Sequence, residues 1–392
     1  MGKKPILDPP HLKKYGVPFY SVAWPPQHIL KPRKTDSTDT DHDSEPETPA
    51  AGNYIVLAGG GGEGSSGIPN AVLLAHFDFA SNSLSDQPVY KLETDSQLPY
   101  RMALHPKGDG LICAMEMPKC CRWFDWDQNK NSEIHKLGLK LSEKVFTELE
   151  DVGQQLALAF NNDGTALATG GEDGSLRVFK WPSMKVILEH STAHSSSVKD
   201  LHFSSNGKWI VSLGSGGPCR VWDLSSGIAL GSLSTKNREL FSGCRFSQIN
   251  ESTWVLYIAA NTEKGGSILT WSLDNYERKS SKFIIRDAIC AFNISADGKF
   301  LACGTPSGDI VIVSSTNMQI QTTIKKAHLG MVTALAFSPD SRALASVSMD
   351  SSARVTIIEG KKTSGGVSLW IALFIILLAV AAYFLKVERI EK

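Results

Sequence analysis

Charge of either sign is not in excess in this sequence: 40 basic residues balance 40 acidic ones over 392 positions. With no basic cluster to neutralise phosphates, nucleic acid is excluded as the main partner. The seven cysteines show no metal-ligand spacing. Cys113, Cys120 and Cys121 form the closest group, and no second pair or His-x-His partner accompanies them. They are expected as reduced thiols in the core of a cytosolic domain. The N-terminus lacks the apolar core of a signal peptide, and Ile6 stands where a myristoylation motif wants Ser or Thr. No Gly-Lys-Ser/Thr ending is present to cradle a phosphate. A formal G-x-G-x-x-G (Gly59, Gly61, Gly64) runs into Pro69 and a strand-like stretch instead of a helix, which excludes a dinucleotide site. No nucleophile–base–acid set and no paired carboxylates can be assembled. The chain is expected to bind rather than to catalyse, with no small-molecule substrate.

What it has, first, is one long apolar run. Residues 367–385 are nineteen positions without a charge, with Trp370 and Tyr383 near the two ends. A helix of that length spans about 28 Å, close to the hydrocarbon thickness of a bilayer. The run is expected to be a single transmembrane helix, after a linker at 359–366 and before a short lumenal tail at 386–392. The N-terminal part is then expected in the cytosol, where the sequons at Asn250 and Asn293 have no use.

Residues 1–14 read as an N-terminal extension, and residues 15–24 as an edge-like strand with Pro18 near its start. Residues 31–53 read as a disordered acidic insertion: Asp36, Asp39, Asp41, Asp43, Glu45 and Glu47 lie among Ser, Thr and Pro. From residue 98 onward one pattern recurs. A strand ends in a large residue, and a polar turn, a short strand, a Gly/Asp turn and another strand follow. The aromatics Phe160, Phe203, Phe246, Phe292 and Phe337 fall 43, 43, 46 and 45 residues apart. A period in the forties with four short strands per unit is that of a WD40 propeller blade. Trp222-Asp223 is an intact Trp-Asp pair, and Ala193-His194 and Ala327-His328 stand where Gly-His is usual. Counting Met102–Trp126 and the N-terminal unit, seven blades cover 15–358, with the first and last strands expected to share one blade. The fold class expected is all-β, a seven-bladed propeller followed by a single C-terminal transmembrane helix. Asp173, Asp350, His194 and His328 are expected to hold turns and blade-to-blade hydrogen bonds.

One stretch does not fit a blade. Residues 59–70 hold six glycines in twelve positions and end in Ile68-Pro69-Asn70. A hairpin needs only two to five linking residues, and glycine buries no side chain. The apolar residue, fixed φ and polar amide at its end mark a shaped loop. Projecting from one blade, it is expected to add little to the core.

A seven-bladed propeller, a C-terminal anchor and a Gly-Gly-Gly-Gly-Glu-Gly-x-x-Gly-Ile-Pro-Asn loop in the first blade together resemble the Sec-twelve family. These are the endoplasmic-reticulum exchange factors that load GTP onto the Sar small GTPase and start COPII coat assembly. The short tail and acidic insertion look like the plant members, and Ser65 and Ser66 fall where some members carry asparagines. The resemblance implies a guanine-nucleotide exchange factor in the endoplasmic-reticulum membrane, with its propeller facing the cytosol and serving ER-to-Golgi transport. It implies a potassium ion held mainly by backbone carbonyls of Gly59, Gly60, Gly61, Gly62, Glu63 and Gly64 and by Asn70. Ile68, Pro69 and Asn70 then form the exchange loop presented to the GTPase. The alternative is a propeller scaffold without exchange activity, like the plant phosphate-transporter traffic facilitators, which have lost the glycine loop.

Overall fold

In six of the seven sheets the second strand is fully or almost fully buried, and its sequence is a short run of small and apolar residues. Leu111–Met115, Ala166–Gly171 and Ala343–Ser348 are buried at every position. Such strands have both faces covered, which demands packed sheets on either side. The fourth strands, such as Lys185–His190 and Arg278–Ile285, are mostly exposed. This gradient from inside to outside builds a blade.

The computed structural model describes residues 8–26, 53–62, 66–116, 120–127, 137–236, 238–250 and 253–358. Every described strand falls into one of seven antiparallel sheets. From the inside outwards, blade one holds Phe19–Ala23, Asn53–Gly59 and Ala71–Asp78, with Ser83–Leu84 and Tyr90–Glu93 on its outer edge. Blade two holds Pro99–Leu104, Leu111–Met115, Cys121–Asp127 and Gly138–Leu141. Blades three and four begin at Gln155–Phe160 and Val198–Phe203, blades five and six at Leu240–Gln248 and Ala291–Ile294. Blade seven starts with Val332–Phe337, Ala343–Ser348 and Ser352–Ile357. The innermost strands touch one another in a closed cycle, blade seven meeting blade one.

Apolar clusters fill the gaps between neighbouring sheets. Phe19, Phe77 and Leu73 of blade one pack with Val347 and Val355 of blade seven. Polar ties span the inner ring as well. Arg245 donates to Asp200 at 2.6 Å and to Asn293 at 3.2 Å, and the Asn293 amide donates to the Leu335 carbonyl at 2.7 Å. Blades four to seven are thereby laced together, and the second sequon asparagine is part of the lacing.

Three expectations are corrected. The segment expected as an N-terminal extension supplies a strand: Leu12–Lys14 pairs antiparallel with Ser352–Ile357 and completes blade seven. The expected sharing of a blade by the chain's first and last strands is what closes the ring. In blade six the residue equivalent to Phe203 is Ile294, paired with Leu301 as Phe203 is with Ile210, so Phe292 sits two positions too early. Gly59 is the last residue of a strand, paired with Phe19 and Ala71, so the loop proper begins at Gly60.

Of the expected insertion at 31–53 only Asn53 is described, and it opens a strand. The linker 359–366, the transmembrane helix 367–385 and the tail 386–392 lie outside the described residues, as do Glu63 and Gly64. Among the described residues no helix is long and apolar enough to cross a membrane.

Candidate functional site

The glycine loop joins the second and third strands of blade one, on the face that also carries the connections between blades. Its glycines are required for distinct local reasons. A Cβ on Gly59 would strike the Pro18 carbonyl, and the Gly60 N–H donates to that same carbonyl at 2.9 Å. Gly60 and Gly62 adopt φ of +153° and +77°, a region that side chains disfavour. A Cβ on Gly60 would overlap the Asn70 side chain, and one on Gly61 would collide with the Ser66 hydroxyl and the Ile68 backbone. The loop is folded back on its own stem.

Asn70 makes the fold-back. Only 2% exposed, it accepts the Gly62 N–H at Oδ1 (3.0 Å) and donates from Nδ2 to the carbonyls of Gly62 (3.3 Å) and Asp95 (2.9 Å). Its own carbonyl accepts the Thr94 N–H at 2.9 Å. Both amide hydrogens are used, and Oδ1 keeps one lone pair. At the other extreme Ser66, Gly67, Ile68 and Pro69 are all exposed. Ile68 is held by its N–H, which donates to the Ser66 hydroxyl at 3.3 Å. A buried clamp and an apolar tip thus stand two residues apart.

Asn70 Oδ1, the Ser66 hydroxyl and the Ile68 carbonyl border Gly60 and Gly61 in the space a Cβ would fill. All three are neutral oxygens. A large, weakly hydrated monovalent cation is held by such groups, whereas divalent ions call for carboxylates. No group of three or more His, Cys, Asp or Glu able to hold a metal occurs among the described residues. Among the described residues of the loop, these neutral oxygens are of the kind that suits a potassium ion.

Sequence reasoning missed the loop's neighbours. Glu116, in the equivalent turn of blade two, places a carboxylate oxygen 3.8 Å from where a Gly62 Cβ would stand. Tyr20 and Tyr100 meet at 5.6 Å between ring centres, and the Arg101 guanidinium lies 4.9 Å over Tyr100. Burial, with the Glu116 charge added, raises the Tyr20 phenol above its ordinary pKa, so it stays protonated. Only a blade-to-blade alignment would have brought these residues to notice.

The histidines and aspartates set aside in the sequence hold turns, as expected, but their side-chain bonds stay within one blade and the connection leading into it rather than running from blade to blade. His328 lies between the hydroxyls of Ser352 (2.6 Å) and Ser346 (2.8 Å), and Asp350 accepts the Leu329 N–H at 2.6 Å. In blade four His194 and Trp222 both bond Ser212, at 2.7 and 2.8 Å. Asp173 accepts the Ser175 N–H at 3.0 Å in its turn. The seven cysteines are free, and burial raises the Cys290 thiol to about 12. On the opposite face a cavity of about 520 Å³ opens between the first turns of blades three to six. Its polar groups are engaged with one another: Asn162 donates to the Ser205 carbonyl and Ser205 to Gln248, while His202 accepts the Phe246 N–H.

The sequence matches the WD domain, G-beta repeat family over residues 151–180, 185–223 and 318–356. These segments cover blades three and four and the end of the ring. SEC12-like protein 2 of Arabidopsis thaliana is 50% identical over 369 residues, which is 93% of this chain and 92% of the relative. SEC12-like protein 1 of the same plant is 27% identical, covering 84% and 83% of the two chains. The guanine nucleotide-exchange factor SEC12 of Rattus norvegicus is 24% identical, covering 82% and 89%. With half its residues shared across nearly the whole of both chains, this chain belongs to the SEC12-like family.

Proposed function

We propose that this chain is a guanine-nucleotide exchange factor for a Sar-type small GTPase, acting at the endoplasmic-reticulum membrane to initiate COPII vesicle formation. The observation that carries the proposal is the exposed Ile68-Pro69 tip on a loop clamped from below by buried Asn70. The names of the rat and mouse relatives as exchange factors support it. Exchange makes and breaks no covalent bond. The propeller need only bind the nucleotide-free GTPase more tightly than the loaded one, and nucleotide affinity then falls by the same factor. An apolar tip on a stem already clamped by Asn70 suits this role, because less ordering entropy is spent when the partner docks.

Potassium would be held by the backbone of Gly59–Gly62, Glu63 and Gly64 together with Asn70, and bound there it supplies positive charge that draws carbonyl oxygens inward. Asn70 ties the loop's two ends together through Gly62, and the Ser66 hydroxyl accepts the Ile68 N–H near the tip. The apolar run at 367–385 would anchor the chain in the membrane.

Release of a fluorescent nucleotide from a purified Sar-type GTPase by the full-length chain tests the proposal. The expected result is release many times faster than the GTPase shows alone, and faster in potassium than in sodium at matched ionic strength. Equal rates in the two salts would remove the ion from the site. Absence of release would leave a membrane-anchored scaffold without exchange activity.

A further inference from the structure

Of the fourteen exposed large apolar side chains among the described residues, six lie on outer strands, Val186, Ile187, Leu230, Phe283 and Ile320 among them. Three others gather on blade seven. Leu329 is 76% exposed, Met349 44% and Met331 37%. Leu329 and Met331 lie on the connection from blade six, Met349 on the turn between the second and third strands of blade seven. Both are loops of the face that carries the glycine loop.

The two loops are fixed to each other. Met349 donates its N–H to the Met331 carbonyl at 3.2 Å, and Leu329 donates to Asp350 at 2.6 Å. A chain of backbone hydrogen bonds then leads to the glycine loop. Tyr15 donates to the Ser351 carbonyl at 3.0 Å, and Gly60 donates to the Pro18 carbonyl at 2.9 Å. Only Gly16 and Val17, in a bend at which Gly16 takes a φ of +80°, separate Tyr15 from Pro18. The patch and the loop are therefore neighbouring parts of one hydrogen-bonded surface across the junction of blades seven and one.

We infer that Leu329, Met331 and Met349 form a second contact for the small GTPase that engages Ile68, an inference that rests on the exchange-factor reading. Three side chains offer at most a few hundred Å² of apolar surface, which is too little for a stable dimer of this chain on its own. As an extension of the loop contact the same area is sufficient, because a few central apolar anchors carry most of an interface's affinity. The residue types also suit this partner. An exchange factor must hold its GTPase while nucleotide leaves and the partner changes shape, and unbranched methionine repacks against a changing surface at little cost. The loop would then discriminate between nucleotide states, while the patch of blade seven would hold the partner through the change.

The test uses the full-length chain in detergent, with the triple variant Leu329→Ser/Met331→Ser/Met349→Ser, the single variant Leu329→Glu, and Ile68→Ala. Affinity for nucleotide-free Sar-type GTPase, nucleotide release, melting temperature and oligomeric state are measured for each. The triple variant is expected to lose about tenfold or more in affinity, with melting temperature and oligomeric state unchanged; Leu329→Glu is expected to weaken binding in the same direction. Wild-type affinity in both variants, with release slowed only by Ile68→Ala, overturns the second contact and leaves the exchange-factor reading standing. A wild-type chain that neither binds nor discharges the GTPase overturns both. A dimer that the triple variant dissociates without slowing exchange assigns the patch to a second copy and likewise overturns the inference.

Discussion

Asn70 and Ile68 stand two residues apart and are expected to fail in different ways. Ile68 is an exposed tip with no partner in the core, so Ile68→Ala should slow exchange and shift stability by less than about 0.5 kcal/mol. Asn70 is buried and makes three side-chain hydrogen bonds. Removing it frees the Gly62 N–H and strands the Asp95 carbonyl, so Asn70→Ala should cost about 1–2 kcal/mol of stability besides abolishing exchange. Thermal melting and nucleotide release measured on both variants separate the two roles; equal melting temperatures would mean that the clamp contributes nothing. The expectation that the whole loop adds little to the core is therefore kept for Ile68 and Pro69 and given up for Asn70. The sequence displayed the tip, because Ile-Pro after a glycine run is conspicuous. It hid the clamp, because nothing in the letters says that Asn70 turns inwards.

At the scale of the strand and its turns, three histidines set a pH limit, His202 being held to about 3 by burial with Arg245 adding to it. His194 and His328 are held to about 4, chiefly by burial, with Arg220 and Arg354 adding to it. For His328 the nearby Asp350 charge pulls the other way and is outweighed. Unfolded histidine titrates near 6.5, so between that value and about 4 the unfolded chain binds more protons than the folded one. Stability contributed by these groups is full above pH 6.5 and is lost as pH falls. At pH 5 each should cost about 2 kcal/mol relative to pH 7. Melting temperature should therefore drop through that window, and His328→Gln should flatten the drop while lowering the plateau, since Ser346 and Ser352 lose a partner; an unchanged slope would assign the pH dependence elsewhere. Legibility in the sequence also varied by element. Buried second strands such as Ala166–Gly171 are continuous small and apolar runs, and they carried the repeat. Exposed outer strands such as Arg278–Ile285 carry little pattern. In blade six an aromatic at Phe292 imitated the anchor position that belongs to Ile294. Glu116 and Tyr100 stayed out of sight because their place beside the loop depends on how blade two abuts blade one.

For the whole molecule, the ring is closed by three residues. Leu12, Lys13 and Lys14 pair with Arg354, Ala353 and Ser352, and Lys13 reaches Asp86 of blade one at 2.6 Å. Leu-Lys-Lys has no periodicity to announce a strand, which is why the sequence placed it outside the propeller. Removing residues 1–14 should expose the edge of Ser352–Ile357, lower the melting temperature by several degrees and promote association through the open edge; light scattering and thermal melting would detect both. A truncated chain that stays monomeric and melts like the full chain would mean that the closure is dispensable. The same arrangement has a mechanical consequence. The chain leaves the propeller at Ile358 from a strand flanked on one side by Leu12–Lys14 and on the other by Ala343–Ser348. Tension applied at that point runs along the strand and loads both ladders in shear, so the bonds on the two sides must yield together. An outermost strand at the exit would instead peel away one bond at a time. Any drag applied to the propeller through the residues beyond Ile358 would be borne by an interior strand, the place where the ring is hardest to unzip.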